Sequence, residues 1–242
     1  MDPLTIAAAS GLRARMESLE LLANNLANAS TAGYKADREF YDLYRASEAS
    51  DVPESARLPL IERQWTDYSQ GRLTSTGNAM DLALDGRGFF AVNGPGGILY
   101  TRGGTLRISR NGTLETQEGY PMRDVQGRPV RLDAAQPFEI SRDGAVHQAG
   151  QEVVRFDVVD FAQTAAIVKQ GGNYFQMADT AARSQKSAAE VHQAKLEAAN
   201  FSPAESAVRL VSLLRQFEML QRALVLGGEM NRRAVEEVAR VS

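Results

Sequence analysis

Apolar residues recur at heptad spacing at both ends of this 242-residue chain. On the N-terminal side Leu12, Met16, Leu19, Ala23 and Leu26 follow one another at steps of four, three, four and three. That repeat builds coiled-coil seams. Near the other end Leu210, Leu213, Phe217, Leu220 and Leu224 run at steps of three, four, three and four. Val208, Val211 and Leu214 widen this second stripe beyond what a two-helix seam needs. Asp2-Pro3 offers a cap and a first helical residue, and Ser202-Pro203-Ala204-Glu205 reads as a capping box. The first helix is predicted to fail near Asn28, where Ala29-Ser30-Thr31-Ala32-Gly33 brings in turn formers. Gly227-Gly228 is predicted to loosen or kink the second, with the pattern resuming at Met230, Ala234, Val238 and Val241.

Between the ends the period shortens. Asp81 to Leu84, Phe89 to Val92, Leu99 to Arg102, Thr105 to Ile108 and Thr113 to Thr116 read as short strands. Asp85-Gly86-Arg87-Gly88, Asn93-Gly94-Pro95-Gly96-Gly97, Gly103-Gly104 and Asn111-Gly112 separate them, and Asn-Gly favours tight hairpins. Phe138 to Ser141, Val153 to Phe161 and Tyr174 to Met177 extend the series. Ser47 to Pro59 reads as a polar loop or arm, and Ala178 to Glu190 as a connection back to the last helix. The fold class is therefore α+β, with short antiparallel strands forming a β-rich domain over residues 81–177. Residues 1–35 and 196–242 form a helical, coiled-coil domain, 36–80 an extended connecting segment and 178–195 a connector.

Composition narrows the function. Lys and Arg number 27 against 30 Asp and Glu, a net charge of −3, so no basic face for nucleic acid is expected. Cysteine is absent, which removes disulfides, thiolate nucleophiles and Cys-based zinc sites. No window reaches the ~18 apolar residues of a spanning helix, so no membrane insertion is expected. The opening residues lack the basic region and long apolar stretch of a cleavable signal, so any exit from the cytoplasm uses another route. His147 and His192 lack metal-ligand spacing, and Gly86-Arg87-Gly88 lacks the rest of a dinucleotide fingerprint. Trp65, the sole tryptophan, fits a core or interface. The expectation is no catalytic residue, cofactor or metal. Two rivals from other classes are an enzyme using Asp81, Asp85 and Asp124, and a monomeric β-rich module that binds a carbohydrate or peptide ligand.

Three blocks carry a family resemblance. Ala23-Asn24-Asn25-Leu26-Ala27-Asn28-Ala29-Ser30-Thr31-Ala32-Gly33-Tyr34-Lys35 closely resembles the N-terminal motif of bacterial flagellar rod and hook proteins. Gly71-Arg72-Leu73, Thr76 to Leu84 and Gly86-Arg87-Gly88-Phe89-Phe90 resemble the same family, as do Tyr100-Thr101-Arg102, Asn111 to Leu114 and Gly119-Tyr120-Pro121. Leu196-Glu197-Ala198-Ala199-Asn200 with Glu205, then Arg215-Gln216-Phe217-Glu218-Met219, resembles its C-terminal motif. Ala199-Asn200-Phe201 stands where the family carries Ser-Asn-Val.

The resemblance implies a structural subunit of the flagellar basal-body rod. Its terminal helices would form an inner coiled coil with the β-rich domain outside, and copies would stack into a hollow drive shaft across the periplasm. Implied partners are other copies, proximal and distal rod proteins, hook-side neighbours and the flagellar type III export apparatus. The expected assembly interface comprises Leu12, Met16, Leu19, Asn24, Asn25, Leu26, Asn28, Gly33, Asn200, Leu210, Leu213, Arg215, Phe217, Leu220 and Leu224. Amides at Asn24, Asn25 and Asn28 can fix register by bridging to backbone or to a neighbouring helix, or they punctuate a fraying helix end. Gly33 lets the chain turn out of the helix.

Overall fold

The computed structural model describes residues 3–44, 58–162, 166–178 and 184–241. Helix α1 spans Pro3–Ala27 and stops where the turn formers begin. Asp2 lies outside the described residues. Helix α2 spans Pro203–Val241. Ser202 caps it, its Oγ accepting the Glu205 N–H at 3.4 Å and its carbonyl the Ser206 N–H at 3.0 Å. Gly227-Gly228, expected to loosen or kink the helix, sit within continuous helix. Each costs ~1 kcal/mol relative to alanine, too little to interrupt a helix supported on both sides.

The strands are β1 Asp37–Tyr44, β2 Leu58–Thr66, β3 Leu73–Ser75, β4 Leu82–Asp85, β5 Phe89–Gly94 and β6 Gly97–Thr101. They continue with β7 Leu106–Ile108, β8 Leu114–Thr116, β9 Phe138–Ile140, β10 Ala145–Gln148, β11 Gln151–Arg155 and β12 Val158–Phe161. The last five are β13 Ile167–Gly171, β14 Tyr174–Met177, β15 Ser184–Lys186, β16 Glu190–Gln193 and β17 Lys195–Glu197. All the pairings are antiparallel. The chain divides into two compact units, one of residues 1–27, 37–67 and 202–242, the other of 28–36 and 68–201.

The first unit holds both helices and the β1–β2 pair. Within it α1 packs along α2, and a methyl placed on Gly11 would meet Leu220 Cδ1 at 3.6 Å. The covered line of α2 is the expected one: Leu213 is buried and Leu210, Phe217, Leu220 and Leu224 are partly buried. On α1 the buried line is instead Ala14, Ser18, Leu22 and Asn25, while Met16 is 50% exposed and Ala23 exposed. At 100° per residue this lies roughly a third of a turn from the heptad stripe. Small residues explain it. Ala14 and Ser18 permit close approach, and the Ser18 hydroxyl is satisfied by donating to the Ala14 carbonyl at 3.0 Å.

The second unit is built on a six-stranded sheet ordered β13-β14-β6-β5-β12-β15. Strand β5 reads Phe89-Phe90-Ala91-Val92, apolar without alternation, because both its faces are covered. Phe90 and Val92 join Leu82, Leu84, Leu114 and Met122 in one cluster. Phe89 and Ala91 join Tyr100, Phe161 and Phe175 in another.

Two segment boundaries differ from expectation. Residues 36–80 are not simply an extended connection, since β1 pairs with β2 and β3 with β17. Residues 178–195 are more than a connector, since β15 pairs with β12 and β16 with β4. Extended backbone must place its N–H and C=O groups somewhere, and neighbouring strands supply the partners whatever the side chains. Of the polar arm Ser47 to Pro59, residues 47–57 lie outside the described residues, and Leu58-Pro59 opens β2.

Candidate functional site

The three motif blocks meet in the second unit around one carboxylate. After α1 the chain turns at Asn28, whose carbonyl accepts the Thr31 N–H at 3.0 Å. Gly33 then adopts a φ of +70°, and a Cβ there would lie 2.2 Å from the Arg102 carbonyl. Glycine is required twice over, for backbone angle and for space. The Gly33 N–H donates to the Glu197 carbonyl at 2.7 Å, laying the N-terminal motif against the C-terminal one.

Lys35 is thereby carried inside. Its ammonium donates to Glu197 Oε1 at 2.6 Å and to the Ser69 carbonyl at 2.7 Å. The same oxygen accepts the Gly71 N–H at 2.7 Å, and Glu197 Oε2 accepts Arg102 Nη1 at 3.0 Å. The Lys35 and Glu197 side chains are 1% and 0% exposed. Arg102 also donates to the Leu84 carbonyl at 3.3 Å and the Gly86 carbonyl at 2.5 Å, with Cζ 5.5 Å from the Phe89 ring centre. Burial pushes the Arg102 guanidinium below its ordinary pKa, and Glu197 opposes that shift. Gly71 belongs here for a steric reason, since a Cβ would stand 1.9 Å from the Ala198 carbonyl oxygen.

Two asparagines fasten the strand that leaves this motif. In the second unit Asn200 Oδ1 accepts the Ala36 N–H at 2.8 Å, and Nδ2 donates to the Ser69 carbonyl at 3.2 Å. In the first unit Asn25 Nδ2 donates to the Asp37 carbonyl at 2.8 Å while Oδ1 accepts the Asp37 N–H at 3.0 Å. That amide copies a β-bridge, and it bonds backbone of its own chain. Of the other expected interface residues, Asn24 and Arg215 are exposed, Gly33 is buried, and Leu12, Leu19, Leu26 and Asn28 are partly buried. Trp65 stands 46% exposed on β2.

The clasp of Lys35, Arg102 and Glu197 lay unrecognised within the motifs. Its one sequence signal is the placement of each charge beside apolar or uncharged residues that become buried or partly buried, Tyr34, Thr101 and Leu196. His192 Nε2 lies 3.6 Å from Glu190 Oε2, two residues back on the same strand, and the β16–β4 pairing brings Asp85 Oδ2 to 3.8 Å, a proximity that linear spacing hides. Among the described residues no group of three side chains could hold a metal. No described helix is long and apolar enough to cross a membrane.

A second apolar surface lies on α2, away from the line that is covered. Val208, Val211, Leu214, Met219, Val225, Leu226 and Met230 are 44–73% exposed. These side chains are interleaved with exposed Arg215, Glu218, Arg222 and Glu229, and so many open apolar groups on one helix favour cover by a partner.

Comparison with known proteins agrees with this arrangement. Residues 7–35 match the flagella basal body rod protein family, and residues 83–148 match the flagellar hook protein FlgE/F/G D1 domain. Both point to a structural protein of the bacterial flagellum rather than an enzyme. The basal-body rod protein FlgF of Caulobacter vibrioides is 29% identical over 227 residues, 93% of each chain. FlgG of Agrobacterium fabrum, also a basal-body rod protein, is 30% identical over 251 residues, covering 92% of this chain and 94% of its own. The flagellar hook protein FlgE of Brucella abortus shares 41% identity over 92 residues, 38% of this chain and 23% of the relative. The chain belongs to the flagellar basal-body rod protein family, and its place is the flagellar basal body.

Proposed function

We propose that this protein is a proximal rod subunit that stacks helically with its own copies and with other rod proteins, building a hollow shaft that carries torque toward the hook. The observation that carries the reading is the open apolar strip on α2, Val208 to Met230, together with half-exposed Met16 and exposed Ala23 on α1. A coiled-coil pairing of α1 with α2 uses the line through Leu213, Phe217 and Leu220 and leaves that strip for neighbours. Subunit contacts in such a shaft are head-to-tail and non-closing, so each face meets a different face on the next copy. Passage through the flagellar type III apparatus and a position across the periplasm complete the proposal. Full-length likeness to a FlgF protein supports the proximal position, and that to a FlgG protein keeps the distal one as the alternative.

The test is a Val211→Asp, Leu214→Asp double variant. It is expected to abolish swimming and incorporation into purified basal bodies while the purified protein stays folded. Normal motility with the variant present in the rod would reject the reading. Site-specific cross-linking from α2 in isolated basal bodies assigns the position, proximal or distal, by the partner captured.

A further inference from the structure

Three turns of the second unit converge on an open trough of mixed apolar and polar lining that the proposed subunit contacts leave unexplained. Two adjoining cavities, of about 400 and 110 Å³, share Glu118 and Tyr174. The larger lies in the size range of small-molecule sites. Its rim is formed by the β5–β6 turn at Pro95-Gly96, the β13–β14 turn at Gly171-Gly172 and the Glu118 to Tyr120 turn after β8. Tyr120 is partly buried and meets the Tyr174 ring edge-on, centroids 5.1 Å apart. The Tyr174 hydroxyl bonds both Glu118 Oε2 and Thr116 Oγ1. Burial, with Glu118 adding to it, raises the Tyr174 pKa, so the phenol keeps its proton.

The lining selects among ligand classes. Neither Lys nor Arg lines either cavity among the described residues, and Arg107, whose guanidinium lies by the Gly119 turn, is paired with Glu115 at 3.0 Å, so phosphates, nucleotides and acidic peptides find little counter-charge. The apolar lining comes from Pro95, Leu99 and the rings of Tyr120 and Tyr174. Side-chain amides of Gln117, Gln170 and Gln176 edge the trough without a hydrogen bond among the described residues. Planar amides, one carboxylate and an aromatic ring match a ligand of many hydroxyls over an apolar ring face. We infer that this trough binds a neutral saccharide, its hydroxyls held by Glu118, Gln170 and Gln176 and its ring packed on Tyr120.

The experiment titrates the full-length, isotope-labelled protein with cellotriose and with chitotriose, following backbone amide shifts by NMR. Saturable shifts at Gly96, Gly171 and Gly172 are expected with a dissociation constant of ~1 mM or tighter. Tyr120→Ala should weaken binding at least about tenfold, and Glu118→Gln, whose amide oxygen can still accept from the Tyr174 hydroxyl, by a smaller factor. Unmoved amides at ~10 mM of either trimer would overturn the assignment. So would unchanged affinity in both variants, or matching shifts produced by inorganic phosphate.

Discussion

Lys35 Nζ sits 2.6 Å from Glu197 Oε1 across 162 residues of sequence, in a place where water does not reach either group. Two cations share this carboxylate, and a backbone N–H adds to it. Buried charge of this kind contributes little net stability when complete, yet costs heavily when one member is removed. Its value here is positional: it holds the N-terminal motif, the middle block and the C-terminal motif in one arrangement.

Glu197→Gln should therefore destabilise the second unit by about 3–5 kcal/mol, because Lys35 and Arg102 would be left buried around a neutral acceptor. Urea denaturation followed by circular dichroism measures it. A loss under about 1 kcal/mol, the range of exposed pairs, would show the clasp to be solvated.

Gly33 and Gly77 form a matched pair with φ of +70° and +72°. A Cβ on Gly77 meets nothing within 4 Å, whereas on Gly33 it would strike the Arg102 carbonyl. Gly77→Ala should cost only the left-handed strain, roughly 1–2 kcal/mol. Gly33→Ala should cost clearly more and impair motility. Equal melting temperatures for the two variants would contradict the packing described here.

Gly11 lies inside α1 with ordinary contact distance to Leu220. Gly11→Ala should stabilise the first unit by ~0.5–1 kcal/mol through helix propensity, without displacing α2. Thermal melting checks the sign, and a lowered midpoint would mean that the helices need a closer approach than alanine permits.

Asp124 supplies a pH test. Burial disfavours its charged form, but the Arg128 N–H and guanidinium and the Gln126 N–H outweigh that and hold its carboxyl below the usual value. A depressed native pKa gives stability that is complete above the ordinary ~3.9 of an aspartate and is lost as pH falls through the native value. Asp124→Asn should be less stable than the parent at pH 7, with the gap closing in acid. A gap constant from pH 7 to pH 3 would refute this linkage.

The helices and the hairpins marked by Gly or Asn-Gly were legible because their signals are local: caps, turn residues and periodicity. Strands such as Ser184-Gln185-Lys186 were not, because three exposed polar residues form a strand only through pairing with β12. The run Val153 to Phe161 splits for a similar reason. Phe156 N–H donates to the Gly144 carbonyl and Asp157 N–H to that of Arg123, so the two halves answer to different neighbours. Heptad arithmetic found the covered face of α2 but missed that of α1, where Ala14 and Ser18 win through small size. Asn25 was legible as an amide able to bridge to backbone, whereas its particular bonds to Asp37, and the whole hydrogen-bonding role of Asn200 toward Ala36, follow only from folded geometry. Arg102 could not be matched to Glu197 from sequence, since 95 residues separate them.

Because Lys35 must wait for Glu197, this unit obeys a timetable. A chain threaded through a narrow passage, whichever end leads, cannot finish its second unit until almost the whole length has come through. Closing so long a loop is entropically only modestly worse than closing a short one, but it is slower to find. Were the chain exported as proposed, its leading end would stay uncommitted until the second unit closed at the far side.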